Sequence, residues 1–463
     1  VEAAFLSPVV AGEFVFSANP ASGRVAVISA ETYEVQLFNA GFGPRYVGAI
    51  PGGGAIVINE LSRDTTLFRV SGGEVSVADE RLPVHESANA WAISSDARFA
   101  IAWTRSEPEQ DELDPTAGSQ TVTVLDLEQA QSTRLTVGFH PTQVLIESSS
   151  QRAYVVADDG ISVIELTDGP AVTALIDVSS DPLEEAAARD VSITPDGRFA
   201  VVRLDDSQQL RIVDLRADAI EFYDLGAQIT DVDLSRDGAL AIATLPGVRE
   251  VVLIPVPPSA GVASFERVSV PGEVTSSVAL SQDNEIALLY QNGEDNSRIT
   301  VLDLRADEGR ALRTLDVKGP VSAAFAAPGA ASAIVFQRPM QGSVKEGLFS
   351  SLVTLEQRFP KIVGTDAAPT SLAFSEDGSF ALVTIGDQTS DVHGVYRVRL
   401  DTLQEDFIRL ASPPAGGATG IIEGTATGFV AQQHPEGRIT FIELDSARAH
   451  TVTGFELAAR IVD

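Results

Sequence analysis

The residues of this chain whose types could do chemistry are scattered imidazoles and carboxylates. The five histidines, His85, His140, His393, His434 and His450, fall in different stretches, at turns or strand ends. None stands in an H-x-x-x-H or H-E-x-x-H pair, the spacing that brings two imidazoles onto one zinc ion, so they read as isolated loop histidines and no metal ligand is assigned. Cysteine is absent, which excludes disulfides, zinc thiolates and a thiol nucleophile. No G-x-S-x-G elbow occurs, so serine catalysis has no local signature and no catalytic residue is named. Asp196, Asp237 and Asp377 each precede a glycine and invite comparison with calcium loops. They lack the further acidic residues at alternating positions that calcium requires, and turn chemistry accounts for them. The acidic run "EPEQDELD", Glu107 to Asp114, is a better calcium candidate through Asp111, Glu112 and Asp114, with a solvated loop as the alternative. No other cofactor is expected.

The elements that would position these groups are written into a recurring phrase. "VSITPDGRFAVV" from Val191 returns as "LAFSEDGSFALV" from Leu372, "VDLSRDGALAIA" from Val232 and "VALSQDNEIALL" from Val278. In each copy a short strand leads to a polar turn and a second apolar strand follows; Asp-Gly suits the turn because glycine accepts a positive φ. A third strand comes after a variable loop, as in "QQLRIVDLR" (Gln208 to Arg216), and a fourth closes the unit, as in "AIEFYDLG" (Ala219 to Gly226). Four strands per unit is the blade of a β-propeller.

Successive first strands are expected near Tyr46, Trp91, Val144, Val191, Val232, Val278, Ala323, Leu372 and Ile421. The fold class is therefore all-β: a single-ring propeller of four-stranded antiparallel blades, ten preferred, with fewer blades or two rings as alternatives. One domain spans 1–463, with nine consecutive blades in 44–450. Residues 1–43 have no clear first strand, and together with 451–463 they are expected to form a composite closing blade that pairs the N- and C-terminal strands. In that reading Leu457 to Asp463 supplies its innermost strand, with "FLSP" (Phe5 to Pro8) as the rival.

The innermost strands would line a central channel. Just before the register-defining apolar positions stand Tyr46, Gln143, Asp190 and Asp231, with Asp233 two residues on. These five are the candidates for binding at the channel mouth. Carboxylates on adjacent strands attract a cation or a basic peptide; the alternative is hydrogen bonding to neighbouring strand ends. Loops between second and third strands lengthen from "DDG" (Asp158 to Gly160) to "TRSEPEQDELDPTAGSQ" (Thr104 to Gln120), "RPMQGSVKEGLF" (Arg338 to Phe349) and "GDQTSDVHG" (Gly386 to Gly394). Insertions on one face of a repeat array mark its working surface.

Composition limits the partners. The formal net charge is −33, from 65 acidic and 32 basic residues, and only three of the basic residues, Lys318, Lys345 and Lys361, are lysines. Such a surface repels nucleic acid and anionic membranes, which both need clustered positive charge, and it suits a salty medium. No apolar run approaches the 18 residues of a membrane span. The chain begins at Val1, from which a removed or absent leader or anchor is expected.

The unit "QTVTVLDLEQAQSTRLTVGFHPTQVLIESSSQRAYVV", Gln120 to Val156, resembles the YVTN family of β-propeller repeats: a V-x-V-I-D type strand, a fourth strand ending in V-G, an x-P-x-x-V first strand, then Y-V. "AYVVADDGISVIELTD" (Ala153 to Asp168) fits it best, and the S-x-D-G turns resemble those of TolB-type repeats. The resemblance implies the fold and leaves function open, since such repeats serve surface-layer proteins, lipoproteins, lactonase-like enzymes and dehydrogenase-like relatives. No Gly-His…Trp-Asp signature is present, and with Trp91 and Trp103 the only tryptophans, a quinone-docking propeller is disfavoured.

The expected function is that of a non-enzymatic binding or scaffold protein of the bacterial cell surface or periplasm, monomeric, and lipid-anchored if an anchor lies outside this chain. It would meet a protein or glycan partner through the long loops. The alternative is a lactonase-like or other hydrolytic propeller with a carboxylate and metal site at the channel mouth.

Overall fold

The computed structural model describes residues 8–105, 120–179, 184–185, 189–259, 261–292, 296–305, 310–339, 342–356 and 359–455. They form forty strands, β1 (Val9–Ala11) to β40 (Ala449–Thr453) in chain order, and one 3-10 turn at Val262–Ser264. The strands make ten four-stranded antiparallel sheets, each of four consecutive strands. These are β-propeller blades. Their first strands are β1, β5 (Pro44–Ala49), β9 (Ala90–Ile93), β13 (Gln143–Ile146), β17 (Arg189–Ile193), β21 (Asp231–Leu234), β25 (Ser277–Leu280), β29 (Val321–Ala326), β33 (Pro369–Phe374) and β37 (Pro414–Ile421). All nine expected first strands are present.

Two compact units share these sheets. Sheets 1 to 4 and the strands β38 (Thr427–Gln432) to β40 belong to one, which comprises Val1–Ala187, Ile422–Ile442 and Ala449–Asp463; Ala188–Ile421 and Glu443–Arg448, with sheets 5 to 9 and β37, make the other. Within each unit the core lies between sheets. On β10 (Phe99–Trp103), Ala100 and Ala102 face Ile56 and Ile58 of sheet 2, whereas Phe99 and Ile101 face Ala153 and Val155 of sheet 4. A middle strand thus buries both faces, which is why it reads as a continuous apolar run without polar alternation. Outer strands lose that constraint: β16 (Ala171–Ile176) is exposed at all but its last residue.

The first sheet departs from expectation. Its four strands all come from the N-terminal segment, and the strand beside β2 (Phe14–Asn19) is β1, in register Val9↔Phe16 and Ala11↔Phe14. Three residues and a tight turn through Gly12 at φ 59° are too short to show a strand period in the sequence. Leu457 to Asp463, the segment expected in that place, and Phe5 to Ser7 of its rival lie outside the described residues. The first and last sheets do meet: the Tyr33 ring stacks on His450 at 4.3 Å and tilts against Phe441 at 5.3 Å.

The recurring phrase is a closed hydrogen-bond circuit. Ser375 Oγ donates to Asp377 Oδ1 (2.6 Å) and accepts from Phe380 N (2.9 Å), while Ser379 N donates to the same carboxylate oxygen (3.0 Å). Thr194/Asp196, Ser235/Asp237 and Ser94/Asp96 repeat it. The turn differs from a two-residue Asp-Gly hairpin: Ser375 pairs with Phe380 around four intervening residues, and only the fourth of the S-x-D-G residues takes positive φ. That position is glycine at 378 (φ +66°) and, without the glycine signature, alanine at 97 (φ +60°).

Gly378 is held by more than its φ, since a Cβ there would lie 2.1 Å from the carbonyl oxygen of Pro328 in the preceding sheet's turn, whereas at Gly424 (φ +71°) it would meet nothing within 4 Å. Gly378→Ala is expected to cost about 2 kcal/mol or more, from strain plus overpacking, against about 1 kcal/mol for Gly424→Ala. Thermal unfolding checks this; equal losses would show that the packing of adjacent turns is loose.

Candidate functional site

Asp190 on β17 and Asp231 and Asp233 on β21 come together in the unit of sheets 5 to 9. Residues two apart on a strand share a face, so Asp231 and Asp233 point the same way. Asp231 Oδ2 accepts from Val278 N (2.8 Å) and Asp233 Oδ2 from Leu280 N (2.7 Å). Since β21 and β25 belong to different sheets, they share no backbone ladder, and the two carboxylates serve as its acceptors. Other chemistry does the same work elsewhere. Ser371 and Thr419 share a hydroxyl hydrogen bond (2.6 Å) between β33 and β37, and Trp91 Nε1 donates to the Tyr46 carbonyl (3.1 Å).

The electrostatics follow from burial. Desolvation pushes the carboxyl groups of Asp231 and Asp233 above the ordinary range, opposed by the Val278 and Leu280 N–H groups; Asp231 also feels the charge of Asp233, and Asp233 that of Asp190. Burial, then the Asp231 charge, raises the Tyr290 phenol. Arg203 was not legible as part of this group: its Nε lies 3.8 Å from Asp190 and its Nη1 2.6 Å from Asp205. It sits on the second strand, β18 (Phe199–Leu204), inside a run whose other members are apolar.

Tyr46 and Gln143 lie in the other unit. Tyr46 is half-buried beneath the Arg45 guanidinium (5.3 Å), and Gln143 is exposed at the start of β13. Asp111, Glu112 and Asp114 fall outside the described residues. Among the described residues, no three His, Asp or Glu side chains stand together as a metal site would require. The Asp-Gly carboxylates work in their turns, where the serine hydroxyls and backbone N–H groups hold Asp237 and Asp377 below the ordinary carboxylate range. One of the loop histidines is buried among hydroxyl groups. His85 is 5% exposed, with Thr123 Oγ1 2.9 Å from Nδ1 and Thr104 Oγ1 3.1 Å from Nε2. Its hydroxyl partners lie 19 and 38 residues away, a constellation no local motif announces.

No known protein-family pattern matches the chain, and no curated protein does. Among solved structures, a eukaryotic initiation factor is similar over 88% of this chain and 94% of its own, at 11% identity and a TM-score of 0.51. Dihydro-heme d1 dehydrogenase NirN in complex with DHE matches 88% of this chain and 73% of its own (14%, TM-score 0.47). Hydrazine synthase of Kuenenia stuttgartiensis matches 66% and 98% (17%, TM-score 0.35). The likeness to the initiation factor is one of fold alone.

Because folding raises both carboxyl groups, the folded chain binds their protons more tightly than the unfolded chain does. Their contribution to stability is complete below the unfolded value of 3.8 and is lost as pH rises through the folded values. Asn keeps an acceptor oxygen without the charge. The Asp231→Asn/Asp233→Asn variant is therefore expected to be at least as stable as the parent at neutral pH, with its advantage vanishing below about pH 3.8. Asp231→Ala, which strands the Val278 N–H, is expected to lose about 1–2 kcal/mol. Unfolding temperatures across pH check both; an Asn variant weakest at neutral pH would mean that the negative charge itself holds β25.

Proposed function

We propose that this chain is a non-enzymatic binding or scaffold propeller of the bacterial cell surface or periplasm, which meets a protein or glycan partner through the loops between second and third strands. One contrast in the strand boundaries carries the reading. In sheets 3 to 10 the turn between first and second strands is five residues long every time, as at 194–198, 235–239 and 375–379. The connection between second and third strands, at the other end of the second strand, ranges from two residues (158–159) to nine (338–346) and seventeen (104–120). Length varies freely where packing does not fix it, and such loops carry recognition on a rigid scaffold. The engagement of Asp231 and Asp233 by backbone N–H groups supports a structural role for them. The strongly acidic composition favours a partner whose contacts include positive charge.

The reading is tested by replacing 338–346 with the two-residue Asp-Asp turn of 158–159 and, separately, deleting Glu107 to Ala117. Retention of envelope proteins and glycans by each variant is compared with that of the parent. Loss of a specific bound component at an unchanged unfolding temperature is expected. Stoichiometric bound metal with turnover in hydrolase and lactone panels, abolished by Asp231→Ala, would replace this reading with a hydrolytic one.

A further inference from the structure

The segment Leu82–Asn89 is a strap across sheets 2 and 3. Leu82 O accepts from Thr65 N (2.9 Å) and Val84 N donates to Arg63 O (2.9 Å) on sheet 2's side, while Pro83 O accepts from Ser132 Oγ (2.6 Å) and Val84 O from Arg134 Nη2 (2.7 Å) on sheet 3's. His85 is its peg. Equivalent positions in neighbouring sheets are glycines: Gly41 N donates to Thr66 Oγ1 (3.2 Å) and Gly138 N to Ser162 Oγ (3.0 Å), as His85 N does to Thr123 Oγ1 (3.1 Å). A Cβ on Gly41 would collide with Asn59 at 2.5 Å and one on Gly138 with Asp159 at 2.2 Å. In sheet 3 the second strand is followed by the short Thr104, which leaves room for an imidazole.

The surrounding bonds fix the tautomer. Thr123 Oγ1 accepts from His85 N (3.1 Å), and Nδ1 (2.9 Å) is the other partner of this fully buried hydroxyl, so the Thr123 hydroxyl donates to Nδ1. The neutral ring then carries its proton on Nε2, which donates to Thr104 Oγ1, and the Thr104 proton is left to Ser87, whose hydroxyl lies at 2.8 Å and carbonyl oxygen at 3.1 Å. A second ring proton would turn Nδ1 into a donor, leave Thr123 Oγ1 receiving two N–H groups, and displace the hydroxyl proton of a side chain that is 0% exposed. The charged groups nearby do not repair this. Arg134 lies on the strap with like charge, Glu86 is turned outward and paired with Arg63, and Arg105 is exposed over the Trp103 ring. Burial, and then the Arg134 charge, lowers the His85 pKa to about 4.

We propose that His85 is an acid-sensitive lock: neutral, it pins the strap to Thr104, which opens the 104–120 connection, and to Thr123 in the strand that follows it, and protonation releases the strap. The folded state prefers the neutral ring, so this contribution to stability is full above the ordinary histidine value of about 6.5. It is lost as pH falls from there through about 4.

The test is made on the whole chain, with His85 ring-nitrogen shifts and amide exchange of Val84 to Ala88 measured by NMR from about pH 7 to about pH 3.5. Exchange rates are corrected for their intrinsic pH dependence. Expected are the Nε2–H tautomer at neutral pH, an imidazole still neutral at about pH 5.5, and a fall in strap protection of more than about tenfold at the same midpoint as the ring titration. In His85→Asn that step should be absent. Should the variant not fold, the shared midpoint in the parent decides alone. A ring that titrates near about 6.5, a strap whose protection does not follow the ring, or the same step in His85→Asn would overturn the proposal.

Discussion

Everything in this molecule depends on the middle strands having no wet face. Within each unit the middle strands turn their side chains alternately to the neighbouring sheets, as Phe99 and Ile101 do against sheet 4 while Ala100 and Ala102 turn to sheet 2. A fully buried Val, Ile or Phe contributes roughly 1.5–3 kcal/mol, so the apolar layers between sheets are the main source of cohesion. They are also undirected. Apolar contact holds sheets together without fixing how far one slides along the next, and that alignment falls to polar groups at the ends and edges.

Several of those groups are arginines, which outnumber lysines in this chain. Arg313, on β28 (Leu312–Asp316), reaches out of its sheet to the carbonyls of Val353 (2.7 Å) and Thr354 (3.0 Å), and Arg397, on β35 (Gly394–Arg399), does so to Leu444 and Asp445 while also binding Asp406 (2.6 Å). Arg267 and Arg69 each take one carbonyl beyond their own sheet, of Leu225 and Leu127, and Arg134 takes that of Val84 on the segment between sheets 2 and 3. A planar fork with five donors spans two acceptors in a fixed geometry; an ammonium on a flexible stem does not. The net charge of −33 therefore understates the ordering of the cations, which are placed on backbone carbonyls as well as on carboxylates.

Sequence reasoning reached the blades because two signals are local. The S-x-D-G circuit closes within six residues, and the apolar middle strands follow it directly, so the start of nine sheets could be placed. Val9–Ala11 escaped because three residues carry no period. The carboxylates of Asp231 and Asp233 were legible as a pair on one strand face; that they accept from Val278 and Leu280 was not, because those partners lie 47 residues on. His85 lies in a loop as read, but its burial was not legible for the same reason. Nothing adjacent to it in sequence reveals that Thr104 and Thr123 enclose it.

These observations separate the two ends of each second strand. At one end, the recurring turn is constrained within itself by the Ser–Asp–backbone circuit and against its neighbour by contacts such as Gly378 with Pro328, so an inserted residue would break both. At the other end the connections close through polar contacts of different chemistry: Asn59 on Thr66 (2.9 Å) and Asp64 (2.7 Å), His85 on Thr123 and Thr104, Gln432 on Thr440 (2.6 Å). Where several residue types can make the contact, both the loop length and the side chain that anchors it are free to change. Selection for a partner, or for response to pH, can act there without cost to the layers that hold the sheets together.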